Sequence, residues 1–306
     1  MRCTRCRKPA QVGLRAHNSA FCKPCYRFFF RRRVLRAIEK ERMFDRNERV
    51  LVAVSGGKDS LALWEVLVAE GFRTVGFHLA LGIGEYSQRS LERCRSFAQE
   101  RGLDLRVHEL ASEGLGVPEM MQATHRPACA ACGTAKRHYF DSAALEFQCQ
   151  VIATGHNLDD EAARLLGNVL HWQVDHLARQ RPVIEPTHPK FVRKVKPLFL
   201  TTEYETASYA FLEGLEYVVE ECPNAAGATQ LQYKSLLDTL EATSPGSKMS
   251  FVKEFLVRGA EAFRKEVPAA PNTCEGCGMP SYADLCSFCA LRAEIRRKSS
   301  SEAPGA

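Results

Sequence analysis

A chain of 306 residues is long enough to bury one large core and carry smaller modules beside it. Its 45% hydrophobic and 25% charged content is that of an ordinary globular protein, which excludes a disordered or fibrous chain, and no apolar run reaches membrane length. The net charge of +6 is unevenly placed: residues 1–49 hold fifteen Lys/Arg against four Asp/Glu and the rest is mildly acidic, so the N-terminal arm points to a polyanionic partner.

Ten of the thirteen cysteines fall in five Cys-x-x-Cys pairs. A small secreted domain with that count would use disulfides. This chain is larger and opens without an apolar signal region, so the expectation is a cytoplasmic protein with thiols and metal sites. Cys3-x-x-Cys6 and Cys22-x-x-Cys25 are fifteen residues apart, a tetrahedral zinc spacing. Residues 1–26 are too short and polar to bury a core, so this zinc ribbon would be folded by its metal. A basic helix follows from Tyr26 to about Asp45, within a linker spanning 27–48. Its start, Tyr26-Arg27-Phe28-Phe29-Phe30-Arg31-Arg32-Arg33, offers phosphate contacts and stacking surfaces suited to RNA. The same residues also suit a helix that docks its phenylalanines on the body and solvates its arginines.

The body, 49–267, alternates strands and helices. Strand runs are Arg49–Val54, Arg73–Leu79, Leu105–Leu110 and Gln150–Ala153. Helical runs are Ser60–Glu70, Ser87–Gly102, about Thr134–Phe147 and Leu158–Leu177. The alternation predicts a doubly wound parallel α/β sheet with ligands beyond the strand C-termini. The buried strand Val50–Val54 runs into Ser55-Gly56-Gly57-Lys58-Asp59-Ser60 and then a helix. Its glycines let backbone N–H groups approach an anion at a helix N-terminus, with Lys58 offsetting phosphate charge. This loop resembles the pyrophosphatase loop (PP-loop), Ser-Gly-Gly-x-Asp-Ser, of families that split ATP into AMP and pyrophosphate to adenylate a substrate.

His78 ends the second strand at the expected ligand rim. Cys129-Ala130-Ala131-Cys132, followed by Lys136, lies on the same side. After the fourth strand, Thr154-Gly155-His156-Asn157-Leu158-Asp159-Asp160-Glu161 reads as a capped helix start. The run also suits Asp160 or Asp159 for orienting Mg²⁺ or an activated substrate. Pro182–Pro197, with His188, Lys190, Arg193, Lys194 and Lys196, reads as a loop that serves as a lid or a second RNA contact. Helices resume at Thr202–Leu212, Thr229–Leu240 and Phe251–Phe263, with Glu220-Glu221-Cys222-Pro223-Asn224 among them. Beyond the linker Pro268–Pro271, Cys274-x-x-Cys277 and Cys286-x-x-Cys289 form a second zinc ribbon, 272–292. A flexible tail, 293–306, ends the chain. Cys94 and Cys149 fall inside helix or strand patterns and read as core residues.

Taken in order over nearly the whole chain, these motifs resemble the TtuA type of tRNA 2-thiouridine synthetase, a PP-loop ATP pyrophosphatase with a HUP-like fold flanked by zinc ribbons. The resemblance implies contacts to ATP from Ala53, Ser55, Gly56, Gly57, Lys58, Asp59, Ser60, His78 and Gly155, with Mg²⁺. It makes Lys136 and Asp160 catalytic. Cys129, Cys132 and Cys222 would hold a 4Fe–4S cluster whose fourth iron carries sulfide, and two Zn²⁺ ions would fill the ribbons. The implied reaction adenylates the C2 oxygen of a tRNA uridine and replaces it with sulfur. The T-loop uridine or 5-methyluridine fits best, and the wobble uridine is the alternative. A persulfide relay through Cys129 or Cys222 is the rival to the cluster. Expected partners are tRNA, a ubiquitin-like thiocarboxylated sulfur carrier and a second copy of the chain, with no membrane. A zinc-ribbon RNA-binding scaffold without catalysis is the alternative of another class. PP-loop enzymes that deliver ammonia or lysine have no need of three internal cysteines.

Overall fold

The computed structural model of the chain describes residues 1–225, 227–263 and 271–301. A hairpin of β1 (Val12–Leu14) and β2 (Ser19–Phe21) opens it, followed by α1 (Lys23–Lys40). The body then runs β3 (Arg49–Ala53), α2 (Lys58–Ala69), β4 (Arg73–Ala80), α3 (Gly84–Arg101), β5 (Leu105–Glu109), α4 (Val117–Thr124), α5 (Ala128–Glu146), β6 (Val151–Thr154), α6 (Leu158–Leu170) and α7 (Val174–Arg179). It continues through β7 (Val183–Ile184), β8 (Arg193–Val195), α8 (Glu203–Glu213), α9 (Thr229–Thr243), α10 (Ser247–Glu254) and the short α11 (Ala260–Ala262). A second hairpin, β9 (Asn272–Thr273) and β10 (Pro280–Ser281), precedes α12 (Ser287–Ser301).

Six strands form the central sheet in the order β5-β4-β3-β6-β8-β7, parallel except for β7 against β8. The chain winds outward from β3 to β5 and returns to β6 on β3's other edge. The order therefore reverses between β3 and β6, where their C-terminal ends leave a crevice for a ligand. The β-branched run of β3 is buried on both faces. Val50 and Val52 enter one core with α1, α2, α3 and α8, while Leu51 enters another with α4, α5 and α12.

Several predicted elements are altered. Leu158–Leu177 divides at His171–Gln173, where Trp172 takes the left-handed conformation at φ 47°. The helix predicted from about Thr134 starts at Ala128, after an unpredicted α4, which places Cys129 and Cys132 on its first turns. The predicted loop 182–197 contains β7 and β8, and its cations are engaged. Arg193 meets Glu48 at 3.0 Å and Glu185 at 3.2 Å; Lys194 meets Asp141 and Lys196 meets Glu161, both at 2.8 Å. These three cations are committed to carboxylates, while Lys190 stays exposed and donates to the Gly278 carbonyl at 2.6 Å, so the segment finishes the sheet instead of forming a lid. Phe251–Phe263 is partly a π turn, Phe255–Gly259. Linker residues 268–270 and tail residues 302–306 lie outside the described residues.

The helix α1 follows the docking reading for most of its face. Tyr26, Phe30, Val34, Ala37 and Ile38 are buried, the larger of these side chains each contributing roughly 1.5–3 kcal/mol. Phe30 stacks on Tyr209 of α8 at 4.2 Å, and the Tyr26 hydroxyl donates to the Glu205 carbonyl at 2.7 Å. Arg27 forks onto Glu213 at 2.8 and 2.6 Å. Phe28, Arg5, Arg32 and Arg36 remain exposed, with Arg5 over the Phe28 ring at 3.8 Å. The aromatics and arginines of this helix thus divide between docking and display.

The described part of the tail is ordered as α12. Phe288, Leu291 and Ile295 share one helical face and bury it against the core that includes α4 and α5. His138 of α5 stacks on Phe288 at 4.2 Å. Burial, helped by Arg292, pushes this imidazole down to about 4 from 6.5. The folded state therefore holds it neutral, and its contribution is complete above about pH 6.5 and lost as pH falls toward 4. Thermal melts are expected to show a falling Tm across that window and a shallower slope in His138→Phe, which keeps the ring stack. An unchanged slope would remove His138 as a source of the acid sensitivity.

Candidate active site

The loop Ser55–Ser60 joins β3 to α2 at the strand-order reversal. Gly56 has φ +77°, and a Cβ there would lie 2.5 Å from the Ser90 carbonyl oxygen, so backbone passes where a side chain cannot. The Ser60 hydroxyl donates to the Gly57 carbonyl at 3.0 Å and accepts from the Ser55 N–H at 3.1 Å, which fixes the loop's curl. Gly155, after β6, packs its Cα on the loop; a Cβ would meet the Ser60 nitrogen at 2.8 Å. A cavity of about 300 Å³ opens over these elements, lined by Ala53, Ser55, Gly57, Asp59, Ser60, His78, Lys136, Gly155 and Asp160 among others. All nine are predicted nucleotide or catalytic residues, and Gly57 is also the N-cap of α2. Gly56 and Lys58 belong to the same loop but lie outside this lining.

His78 is 3% exposed, with Nδ1 at 2.9 Å from the Val54 carbonyl and Nε2 without a hydrogen-bond partner. Burial holds its pKa below the ordinary value. The ring is therefore neutral and donates from Nδ1, which leaves Nε2 as an unmatched buried acceptor at the cavity wall. An orphaned acceptor at the wall of this cavity fits a donor from a ligand.

The acidic run separates into two roles. Asn157 and Asp160 form a reciprocal capping box at the start of α6, and Asp160 lines the cavity. Burial pushes its carboxyl up, but Lys234 at 2.6 Å and His156 outweigh it and hold it below the usual range. Asp159 turns away: it accepts from the Glu203 N–H at 2.7 Å and pairs with buried Lys248. Of the two predicted candidates, only Asp160 is placed for chemistry. Lys58 is 2.7 Å from Glu203 and 3.2 Å from Asp59, and Asp59 accepts from Asn157 at 3.1 Å.

Cys129, Cys132 and Lys136 climb one side of α5 at spacings of three and four. Burial pushes the Cys132 thiol up, and Lys136 opposes it. Cys222 packs against the same core as Cys132 and the cavity residue Tyr86, where a thiolate at Cys222 would push both of those groups up. These sulfurs do not close to the spacing of a single-ion site. Among the described residues only two sets gather ligand atoms within 4.8 Å: Cys3, Cys6, Cys22, Cys25 and Cys274, Cys277, Cys286, Cys289. Each cysteine on an iron–sulfur cube binds a different iron, so wider separation suits that donor set. In the N-terminal set, backbone N–H groups overcome burial and hold Cys3 down to about 6, whereas burial and the neighbouring sulfurs push Cys25 up to about 12. Four thiols this close cannot all ionise without a cation, so both sets fit a tetrahedral metal. Cys94 and Cys149 are buried core residues.

Residues 29–226 match the PP-loop domain, and residues 2–27 match the N-terminal LIM domain of 2-thiouridine synthetase TtuA. The chain is 46% identical, over 97% of its length and 93% of the relative's, to the tRNA-5-methyluridine(54) 2-sulfurtransferase of Thermus thermophilus. This chain belongs to the TtuA-type tRNA 2-thiouridine synthetases of the PP-loop family. The enzyme of the same name from Pyrococcus horikoshii is 40% identical, over 98% of this chain and 97% of its own. Among solved structures, the U34-tRNA thiolase NcsA from Methanococcus maripaludis, with its 4Fe–4S cluster, superposes with TM-score 0.78 at 25% identity, covering 96% of each chain. Membership makes the chain a sulfurtransferase and sets aside the scaffold reading. No described helix is long and apolar enough to cross a membrane.

Within this TtuA-type site, Tyr86 and Phe140 also line the cavity, and the sequence does not single them out; His156, part of the Thr154–Glu161 run, lines it too, although the run itself gives it no role. Tyr86 and Phe140 sit at one-turn spacings on helices and read locally as packing. Glu203 and Lys234 likewise carry no local sign that they are partners of the loop. The Thr202–Glu205 capping box signals a helix start there and nothing about Lys58.

Proposed function

We propose that this chain is an ATP-dependent tRNA 2-thiolase that replaces the C2 oxygen of 5-methyluridine 54 with sulfur. The observation that carries this is the shared wall between the phosphate loop and the sulfur donors: Lys136 lines the nucleotide cavity and bears on Cys132. ATP would set its phosphates on the N-terminus of α2, with Gly56 and Gly57 presenting backbone N–H groups and Lys58 offsetting charge. Asp160 and Asp59 are hard carboxylate donors suited to Mg²⁺, which supplies charge neutralisation at the phosphates. The uracil O2 attacks the α-phosphorus and pyrophosphate leaves. Sulfide then adds to C2, and the C2–O bond breaks with AMP as the leaving group. Lys136, at the rim between the two sites, would hold the activated base.

Cys129, Cys132 and Cys222 would hold a 4Fe–4S cluster, which supplies an iron without a protein ligand where exogenous sulfide can bind. The two four-cysteine sets would hold Zn²⁺ and act structurally. The family resemblance further implies a ubiquitin-like thiocarboxylated carrier as sulfur source, a homodimer and a cytoplasmic location. Position 54 is favoured because relatives named for it are 39–46% identical. The cytoplasmic tRNA 2-thiolation proteins compared are 28–30% identical, and the solved U34 thiolase 25%.

Nucleoside mass spectrometry of tRNA from a deletion strain tests the target. Loss of 2-thiolation at position 54 with the wobble uridine intact is the expected result; loss confined to the wobble position would refute it.

A further inference from the structure

Six residues close a ring around the edge of the nucleotide site, five links being between side chains and the last between side chain and backbone. Asp160 meets Lys234 at 2.6 Å; Lys234 meets Glu203 at 3.2 Å; Glu203 meets Lys58 at 2.7 Å. Lys58 meets Asp59 at 3.2 Å, Asp59 meets Asn157 at 3.1 Å, and Asn157 returns to Asp160 through its capping box at 3.0 and 3.1 Å. Three carboxylates face two ammonium groups, so the ring carries one excess negative charge. Glu203 sits between the two lysines and competes for Lys58 with any incoming phosphate.

Lys234 belongs to α9, which starts at Thr229, seven residues after Cys222. The turn between them, Pro223–Ala225, packs on α5, the helix that carries the Cys129–Cys132 pair. Along its length α9 packs on α6: Tyr233 covers Gly167, and its hydroxyl is 3.0 Å from His171. The helix that follows Cys222 is thus anchored by its own lysine to the carboxylate that lines the nucleotide cavity.

We propose that Lys234 is a positioning residue: it shares Glu203 with Lys58, so that Lys58 is released to phosphate, and it ties the Cys222 segment to the occupancy of the nucleotide site. When phosphate takes Lys58, Glu203 is left to pair with Lys234 alone, and the α9 anchor tightens as the nucleotide seats. Without Lys234, Glu203 has only Lys58, and the ring gains a second excess negative charge that opposes phosphate. This rests on the ATP-dependent reading above.

The test is calorimetry with α,β-methylene ATP and Mg²⁺ on the full chain. Lys234→Met is expected to weaken binding about tenfold, Lys234→Arg to restore it, and Glu203→Gln in the Lys234→Met background to suppress the defect. Glu203→Gln alone is expected to tighten binding, because the competing carboxylate is gone. Hydrogen exchange of the segment around Cys222 should change on adding the nucleotide in wild type and stay unchanged in Lys234→Met. Three results would each overturn the proposal: Lys234→Met binding within about twofold of wild type, a defect Glu203→Gln does not suppress, or weaker binding by Glu203→Gln alone. If wild type itself fails to bind the analogue, the ATP-dependent reading falls instead.

Discussion

Cys222→Ser is expected to reduce tRNA thiolation to background while leaving the Kd for α,β-methylene ATP within about twofold. The substitution keeps the side chain's shape and removes only the soft sulfur. Cys222 lies outside the lining of the nucleotide cavity, half-buried against the same core as Cys132. A hydroxyl is a hard, weak ligand for iron and cannot carry persulfide sulfur, so either sulfur-handling scheme loses its third group. Absorbance of anaerobically purified protein separates the two. Loss of the cluster band in Cys222→Ser supports cluster binding, and thiolation without any cluster in wild type supports the persulfide relay. Full thiolation by the serine variant would remove Cys222 from the sulfur site altogether.

Alanine at Gly56 acts on the other half of the reaction. Its Cβ would sit 2.5 Å from the Ser90 carbonyl oxygen and 3.0 Å from the Ser90 Cα, both backbone atoms of α3. The φ of +77° adds left-handed strain. Together these cost about 2–4 kcal/mol, and the loop can escape only by leaving the curl that presents its N–H groups. Nucleotide binding is expected to fall by about 10²-fold or more, with a lowered Tm. Gly84→Ala is the matched control: φ there is +43° with nothing within 4 Å of the added methyl. It should lose about 1 kcal/mol of stability and keep nucleotide binding. Equal binding losses in both variants would mean that backbone strain, not the approach to Ser90, governs the loop.

The parts of this molecule legible in sequence are those in which short-range pattern carries the chemistry. Val50–Val54 followed by two glycines announces a buried strand and a phosphate turn because both are consequences of adjacent residue types. The Cys-x-x-Cys pairs announce metal ribbons because a knuckle needs ligands three residues apart. The ring through Lys58, Glu203 and Lys234 has no such local trace, since its members are brought together only by packing α8 on α2 and α9 on α6. The 182–197 segment misleads for the same reason: its cations look solvated until Glu48, Asp141 and Glu161 are placed beside them by the fold. The tail misleads differently. Phe288, Leu291 and Ile295 keep helical spacing, but the surrounding arginines and serines mask that stripe.

The choice between Asp159 and Asp160 shows where pattern stops. Both follow a helix-capping Asn157, and the capping-box spacing that sets Asp160 apart does not say which carboxylate faces the cavity. Being one residue apart on a helix turns them about 100° from each other, so one carboxylate faces the cavity while the other meets Lys248.

On the proposed function, the loop at Ser55–Ser60 activates the very oxygen that the cysteines' sulfur replaces. Single-turnover reaction of tRNA carrying ¹⁸O at C2 of the target uridine tests it directly. Mass spectrometry of the nucleotide product should find the label in the AMP phosphate, one ¹⁸O for each thiolated base. AMP without label, or ¹⁸O released to water while ATP yields ADP, would contradict it.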